Sequence, residues 1–307
     1  MTAEDPSSQT PAPANAARPV LQGRVMQPAE PEAELARRLG MFVVETPRRQ
    51  LKDLVTAEET LNQIRSLLTK IRYQRILYED FGLGEVDPQG GRTAINLYGP
   101  PGTGKSFAAE AIAAELGMGL IRANYAEIES KYVGETPKNI KAAFQKARET
   151  NAVLFFDEAD SILGRRLSNI TQSTDHAVNV SRSVMLLELD RFSGVTVFAT
   201  NLASNYDTAF IRRILGHIEM PLPDAQARRR LWRMHIPARL PVDLSPQDWD
   251  QLVSATEGLA GGDILNCVVA AAAAALEREG PACRIGQPDF AAAIQAARKA
   301  RQAVGRE

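Results

Sequence analysis

Two cysteines are all that 307 residues contain, Cys267 and Cys283, set in unrelated contexts with neither CxxC spacing nor a secretory leader nearby. A disulfide-stapled scaffold is excluded, and a reducing interior is expected. Surplus charge is missing too. With 36 basic against 37 acidic side chains, the formal net charge of -1 argues against a nonspecific electrostatic grip on nucleic acid, leaving only local patches. No apolar run approaches a bilayer crossing. The longest, Ala270–Leu276 behind Val268 and Val269, carries alanine rather than leucine or phenylalanine, so a packed helix in a soluble protein is expected. What is present is core material: 44% apolar composition at this length supports one large or two modest domains.

Residues 1–34 hold Pro6, Pro11, Pro13, Pro19, Pro28 and Pro31 among Ala, Ser and Glu, with no aromatic side chain to nucleate burial. A disordered leader or tether is expected there, with a short recognition motif left open. A targeting peptide fits poorly, because Glu4 and Asp5 are acidic and no continuous apolar core follows. Leu61, Ile64, Leu67, Leu68 and Ile71 recur at helical steps and predict a helix running from Leu54 to Leu77. Short apolar runs at Ala94–Tyr98, Leu120–Arg122, Val153–Phe156 and Val195–Ala199 predict strands. Helical stretches at Phe107–Leu116, Lys138–Arg148 and Asn179–Leu189 lie between them, the alternation of a parallel sheet covered on both faces. Beyond Pro221 and Pro223 four helical stretches follow with no good strand among them. The expected organisation is a leader over 1–34, a large α/β unit over 35–221 and a small all-helical lid over 222–307, with a crevice at the hinge between the last two.

Gly99-Pro100-Pro101-Gly102-Thr103-Gly104-Lys105-Ser106 satisfies GxxxxGK[ST] between a predicted strand and a predicted helix. Glycines let backbone N–H groups converge on phosphate oxygens, and the dipole of the following helix adds positive potential. Lys105 is expected to reach the β and γ phosphates, and Ser106 to offer a hydroxyl to Mg2+. Four apolar residues then lead into Asp157 and Glu158. Two adjacent carboxylates at the end of a buried strand call for a cation and a proton-handling role, so Asp157 is assigned to Mg2+ and Glu158 to the attacking water. Asn201 tips the next strand, where its amide could orient the water or touch the γ phosphate; turn initiation is the alternative.

These stretches, together with KYVGET at Lys131–Thr136, LFFDEADSI at Leu154–Ile162, ATN at Ala199–Asn201, HIEMPLPD at His217–Asp224 and GLAGGDI at Gly258–Ile264, resemble the classical AAA family of the AAA+ ATPases, which includes katanin, spastin, the proteasomal ATPases and the segregases. The resemblance covers most of Leu54–Leu276 in family order. It implies a P-loop NTPase sheet sandwiched by helices, and ATP and Mg2+ as ligands. The nucleotide contacts implied are Gly99, Pro100, Pro101, Gly102, Thr103, Gly104, Lys105, Ser106, Phe107, Asp157 and Gly262, with Ser106 and Asp157 on the metal. Lys105, Glu158 and Asn201 take catalytic roles, Asn201 as first sensor, and Arg212 and Arg213 fall where the family places arginine fingers. A snorkelling surface pair is the plain alternative for those arginines. A finger acting on a neighbour's nucleotide implies a homo-oligomer, six subunits being the family habit.

Tyr132 corresponds to the family's central-pore loop, where a polypeptide cargo would touch it, although a half-buried core tyrosine reads equally well from sequence. Arg165, Arg166 and the stretch to His176 match the second pore loop loosely. Gly261 and Gly262 supply no second-sensor arginine, and Leu186–Gly194 carries Arg191 where the family often has glycine. Classical members choose cargo with an N-terminal domain, whereas here a Pro/Ala leader and a short segment from Glu34 to Lys52 stand before the module, so the expectation is that either an adaptor recruits cargo or a partner uses the ATPase as a part, in a cytoplasmic setting. Remodelling of a protein substrate is the preferred function. An ATPase that loads or moves a nucleic-acid-associated factor and a nucleotide-assembled scaffold remain open.

Overall fold

The computed structural model describes residues 29–87, 90–124, 128, 135–164, 173–201 and 206–304. Helix α1 spans Ala29–Gly40 and thus begins within the stretch read as a leader. Strand β1 is Val44–Glu45, and helix α2 covers Glu58–Arg72. Helix α2 is shorter than the pattern predicts: its last turn closes at Tyr73, and a separate π-turn, Ile76–Asp80, takes up the remaining apolar residues. Then come β2 (Ala94–Tyr98), α3 (Lys105–Leu116), β3 (Gly119–Asn124), α4 (Glu135–Thr150), β4 (Ala152–Asp157), α5 (Asp160–Leu163), α6 (Ser173–Arg191), β5 (Thr196–Thr200), α7 (Thr208–Ile211) and β6 (Ile214–Glu219).

Six strands form one sheet in the order β1-β3-β4-β5-β2-β6. All pair in parallel except β1, which lies antiparallel on the edge. Alternation along β4 shows why the central strands are apolar throughout. Val153 and Phe155 pack with α2 and α3 on one face, while Leu154 and Phe156 pack with α4 and α6 on the other. Strand β6 escapes the sequence pattern because Gly216 and His217 interrupt its apolar residues. Packing explains the glycine, since a Cβ at Gly216 would come within 2.5 Å of the Leu67 side chain. On the other face, α1 is fastened to α4 by Arg38, which is 4% exposed, pairs with Glu34 and Glu135 and donates to Asn139.

Phe144 on α4 is fully buried, with its ring 5.8 Å from Phe156 and 5.2 Å from Phe192. Phe144→Ala is expected to cost about 3–5 kcal/mol through lost transfer energy and a residual cavity. A scanning melt should show Tm lower by roughly 10 °C.

The lid contains α8 (Ala225–His235), α9 (Pro246–Ala255), α10 (Gly261–Glu279) and α11 (Gln287–Val304) around a core centred on Trp232 and Phe290, whose rings meet edge to face at 5.5 Å. It is not wholly helical. Val242–Asp243 (β7) and Ile285–Gly286 (β8) form a short parallel pair, too short to leave a periodic signal. Helix α10 packs on one face only: Ile264, Cys267, Val268, Ala271 and Ala275 are buried, whereas Leu265, Val269 and Leu276 face outward. Cys267 and Cys283 are buried free thiols. Among the described residues no helix is long and apolar enough to cross a membrane.

Candidate nucleotide site

Every predicted phosphate-site residue lies at the C-terminal edge of the parallel strands. Strand β2 hands over to Gly99, whose N–H donates to Thr200 O at 3.2 Å. Gly99 has φ +144°, and a Cβ there would sit 2.3 Å from Met220 O, so no other residue fits. Gly104 has φ +97° and caps α3, which starts at Lys105 and points its first N–H groups into the loop. The Lys105 side chain lies inside this loop, 8% exposed, with Nζ donating to Gly99 O at 2.8 Å and Pro100 O at 2.9 Å. Burial pushes its ammonium below the ordinary value, against the opposing pull of Asp157 and Asp160.

Strand β4 delivers the acidic pair. Ser106 Oγ donates to Asp157 Oδ2 at 2.9 Å, bringing a hydroxyl and a carboxylate together as a hard-oxygen pair. That donor set fits Mg2+, which typically takes one or two protein oxygens and completes its shell with phosphate and water. Glu158 is exposed and adopts φ +52°, a left-handed backbone that costs a non-glycine residue about 1 kcal/mol or more. Its N–H donates to Asp157 Oδ1 at 3.0 Å. Asn201 is exposed just past β5, on the same edge of the sheet.

Sequence reasoning missed the wall of the crevice beside this loop. A cavity of about 190 Å³ is lined by Leu54, Val55, Phe107, Leu231, His235 and Gly262. Gly262 N–H donates to Gly102 O at 3.1 Å, tying the start of α10 to the P-loop. Burial keeps the His235 imidazole below its usual range, opposed by a hydrogen bond with the Gly261 backbone. At the mouth, the Arg49 guanidinium lies 4.6 Å from the Phe107 ring centroid. Flat apolar walls with few polar groups suit a base. Only Phe107 and Gly262 of this wall carry a motif signal, because the rest arrive from segments far apart in the chain.

Arg212 and Arg213 are not part of this cluster. They precede β6, whose Ile214 pairs with Ala94 at the beginning of β2, whereas the P-loop follows the end of β2. A strand of this length separates the two places by about 15 Å, beyond the reach of an arginine side chain. Arg213 is held by Asp190 in a two-pronged pair at 2.7 and 2.8 Å and donates to Ala209 O at 2.9 Å. Asp190 raises its already high pKa. Arg212 is exposed, with its backbone N–H donating to Thr208 O at 3.3 Å. Lys131–Gly134 with Tyr132, the Arg165 and Arg166 segment and residues 1–28 lie outside the described residues.

The family model for the "ATPase family associated with various cellular activities (AAA)" matches residues 95–222. The chain is 33% identical over 242 residues to a proteasome-activating nucleotidase of Methanopyrus kandleri, covering 76% of this chain and 53% of that protein. It is 33% identical over 229 residues to a cell division cycle protein 48 homolog of Archaeoglobus fulgidus, covering 72% and 30% respectively. Thus it spans about half, or less, of the length of these relatives. The crystal structure of the FIGL-1 AAA domain in complex with ADP superposes with a TM-score of 0.70 at 20% identity, over 85% of this chain and 90% of that one, a likeness of fold.

Proposed function

Because this chain belongs to the AAA+ ATPase family, we propose that it converts ATP and water to ADP and phosphate and couples this turnover to remodelling of protein substrates within an oligomeric ring. The observation that carries the reading is the convergence of Lys105, Ser106, Asp157, Glu158 and Asn201 at one edge of the sheet, next to an apolar crevice closed by the lid. The P-loop amides and Lys105 hold the β and γ phosphates. Ser106 and Asp157 would hold Mg2+, which supplies neutralising charge to the phosphates. Glu158, free of the Ser106–Asp157 contact, accepts the proton of the attacking water, and Asn201 orients that water. Leu54, Val55, Leu231 and His235 enclose the base and exclude solvent.

The ring reading is favoured by the two arginines. They sit too far from their own P-loop to serve it, and with Arg213 held on Asp190 it is the exposed Arg212 that serves the phosphate of an adjacent subunit. The nucleotidase relatives point the same way for the reaction, and the substrate class is by analogy. The test is phosphate release with ATP, with and without Mg2+, across a range of protein concentrations. Turnover abolished by EDTA and rising in specific activity as subunits assemble is expected. ATP-dependent assembly without phosphate release would favour a scaffold, and turnover stimulated by DNA or RNA would favour the nucleic-acid-linked alternative.

Tyr132 carries the substrate part of this reading. Tyr132→Ala should keep Tm and basal turnover within a few-fold while losing substrate remodelling, since an aromatic grip is worth about 1–3 kcal/mol. A fall of several degrees in Tm, with every activity depressed together, would place the tyrosine side chain in the core and remove its grip on substrate from the reading.

A further inference from the structure

We propose that Thr200 and Asp160 form a clasp that sets the two water-handling groups, Glu158 and Asn201, in register with each other and with the P-loop. The inference rests on the ATPase reading above, and it assigns both as positioning residues.

The sheet itself does not hold these groups together. Pairing between β4 and β5 ends at Phe156 and Phe198, before either strand reaches its chemical residue. Beyond that point the tips are joined by other contacts. Ala159 N–H donates to Ala199 O at 2.9 Å. The Thr200 hydroxyl donates to Asp160 Oδ1, and the Asn201 N–H approaches Asp160 Oδ2 at 3.5 Å. Meanwhile Thr200 O accepts from Gly99 N–H at 3.2 Å, the first residue of the P-loop. One threonine therefore touches all three parts of the site, through its carbonyl to the P-loop, its hydroxyl to the Glu158 segment and its chain continuation to Asn201.

Burial makes the hydroxyl informative. Thr200 is 1% exposed at the end of β5, where valine would fill the same volume without having to satisfy a polar atom. Its partner Asp160 stands two residues after Glu158, whose left-handed backbone needs support on both sides. Asp157 Oδ1 supplies that support before it, and Ala159 with Asp160 supplies it after. Asp160 also pulls the Lys105 ammonium upward against the effect of burial. Freed from the clasp, the tips of β4 and β5 can shift relative to each other, and a displacement of 1 Å at a reacting group can lower the rate about 100-fold.

The experiment is steady-state ATP turnover beside calorimetric ATP binding on Thr200→Val, Thr200→Ser and Asp160→Asn in the full chain. Thr200→Val and Asp160→Asn should lower kcat about ten- to hundredfold with the ATP Kd within about threefold of wild type, and Thr200→Ser should restore the rate. Combined with Asn201→Ala, Thr200→Val should cost far less than the product of the two single losses, because both act on one water. Wild-type turnover in Thr200→Val, or losses that multiply and track a lowered Tm and weakened binding, would overturn the clasp and leave the ATPase reading standing. A wild-type chain that binds ATP, assembles and releases no phosphate would overturn both.

Discussion

Lys105→Ala is expected to weaken ATP binding about thirtyfold or more, because truncating one partner of a buried, hydrogen-bonded charge pair costs about 2–5 kcal/mol. The side chain is already desolvated inside the loop, so little further desolvation is needed when it turns from the carbonyls of Gly99 and Pro100 to a phosphate. Alanine also takes the donor from the Gly99 carbonyl, while Pro100 O keeps the Thr103 hydroxyl. Lys105→Met separates the contributions, since it keeps the apolar stem and removes only the charge. Calorimetry with ATP and Mg2+ should show both variants weakened, and unchanged affinity in both would remove Lys105 from the phosphate site.

Arg212→Ala should leave the fold and the chain's own nucleotide binding intact while lowering turnover by about 10³–10⁵, the worth of an arginine finger. Arg213→Ala should behave differently. Arg213 is spent on Asp190 and Ala209 O, so its removal strands a half-exposed carboxylate and loosens the turn that presents Arg212. Mixing decides whether the finger acts in trans. Where an Arg212→Ala chain contributes the pocket and a Glu158→Gln chain contributes the finger, one complete site is restored. A mixture of two inactive proteins should therefore regain measurable phosphate release. Mixed assemblies verified by mass that stay silent would place Arg212 outside the neighbour's site.

The candidate phosphate site was legible because its chemistry sits in contiguous residues. Gly99, Gly102 and Gly104 mark the loop since only glycine tolerates its positive φ angles and close approaches, and Asp157 and Glu158 announce themselves as charges ending a buried run. Strand β6 was not, as Gly216 answers to Leu67 on α2 and His217 to Asn96, whose amide lies 3.2 Å from its Nδ1. Both partners lie far away in the chain, and no local pattern encodes them.

What the amino-acid sequence determined by itself was the alternating sheet-and-helix order, the helical lid and the chemical inventory of the site, because hydrophobic period, turn chemistry and a phosphate-binding loop are properties of neighbouring residues. Only the tertiary structure decided which residues wall the crevice, that Leu54 and Val55 line it together with Leu231 and His235, and that Thr200 joins the P-loop to the Asp160 segment. Only it separated the adjacent arginines, holding Arg213 on Asp190 and leaving Arg212 exposed at the sheet edge opposite its own P-loop. The reason is physical: a side chain's role here depends on what packing brings to it from elsewhere in the chain, and two identical neighbours acquire different roles once one of them finds a buried or charged partner.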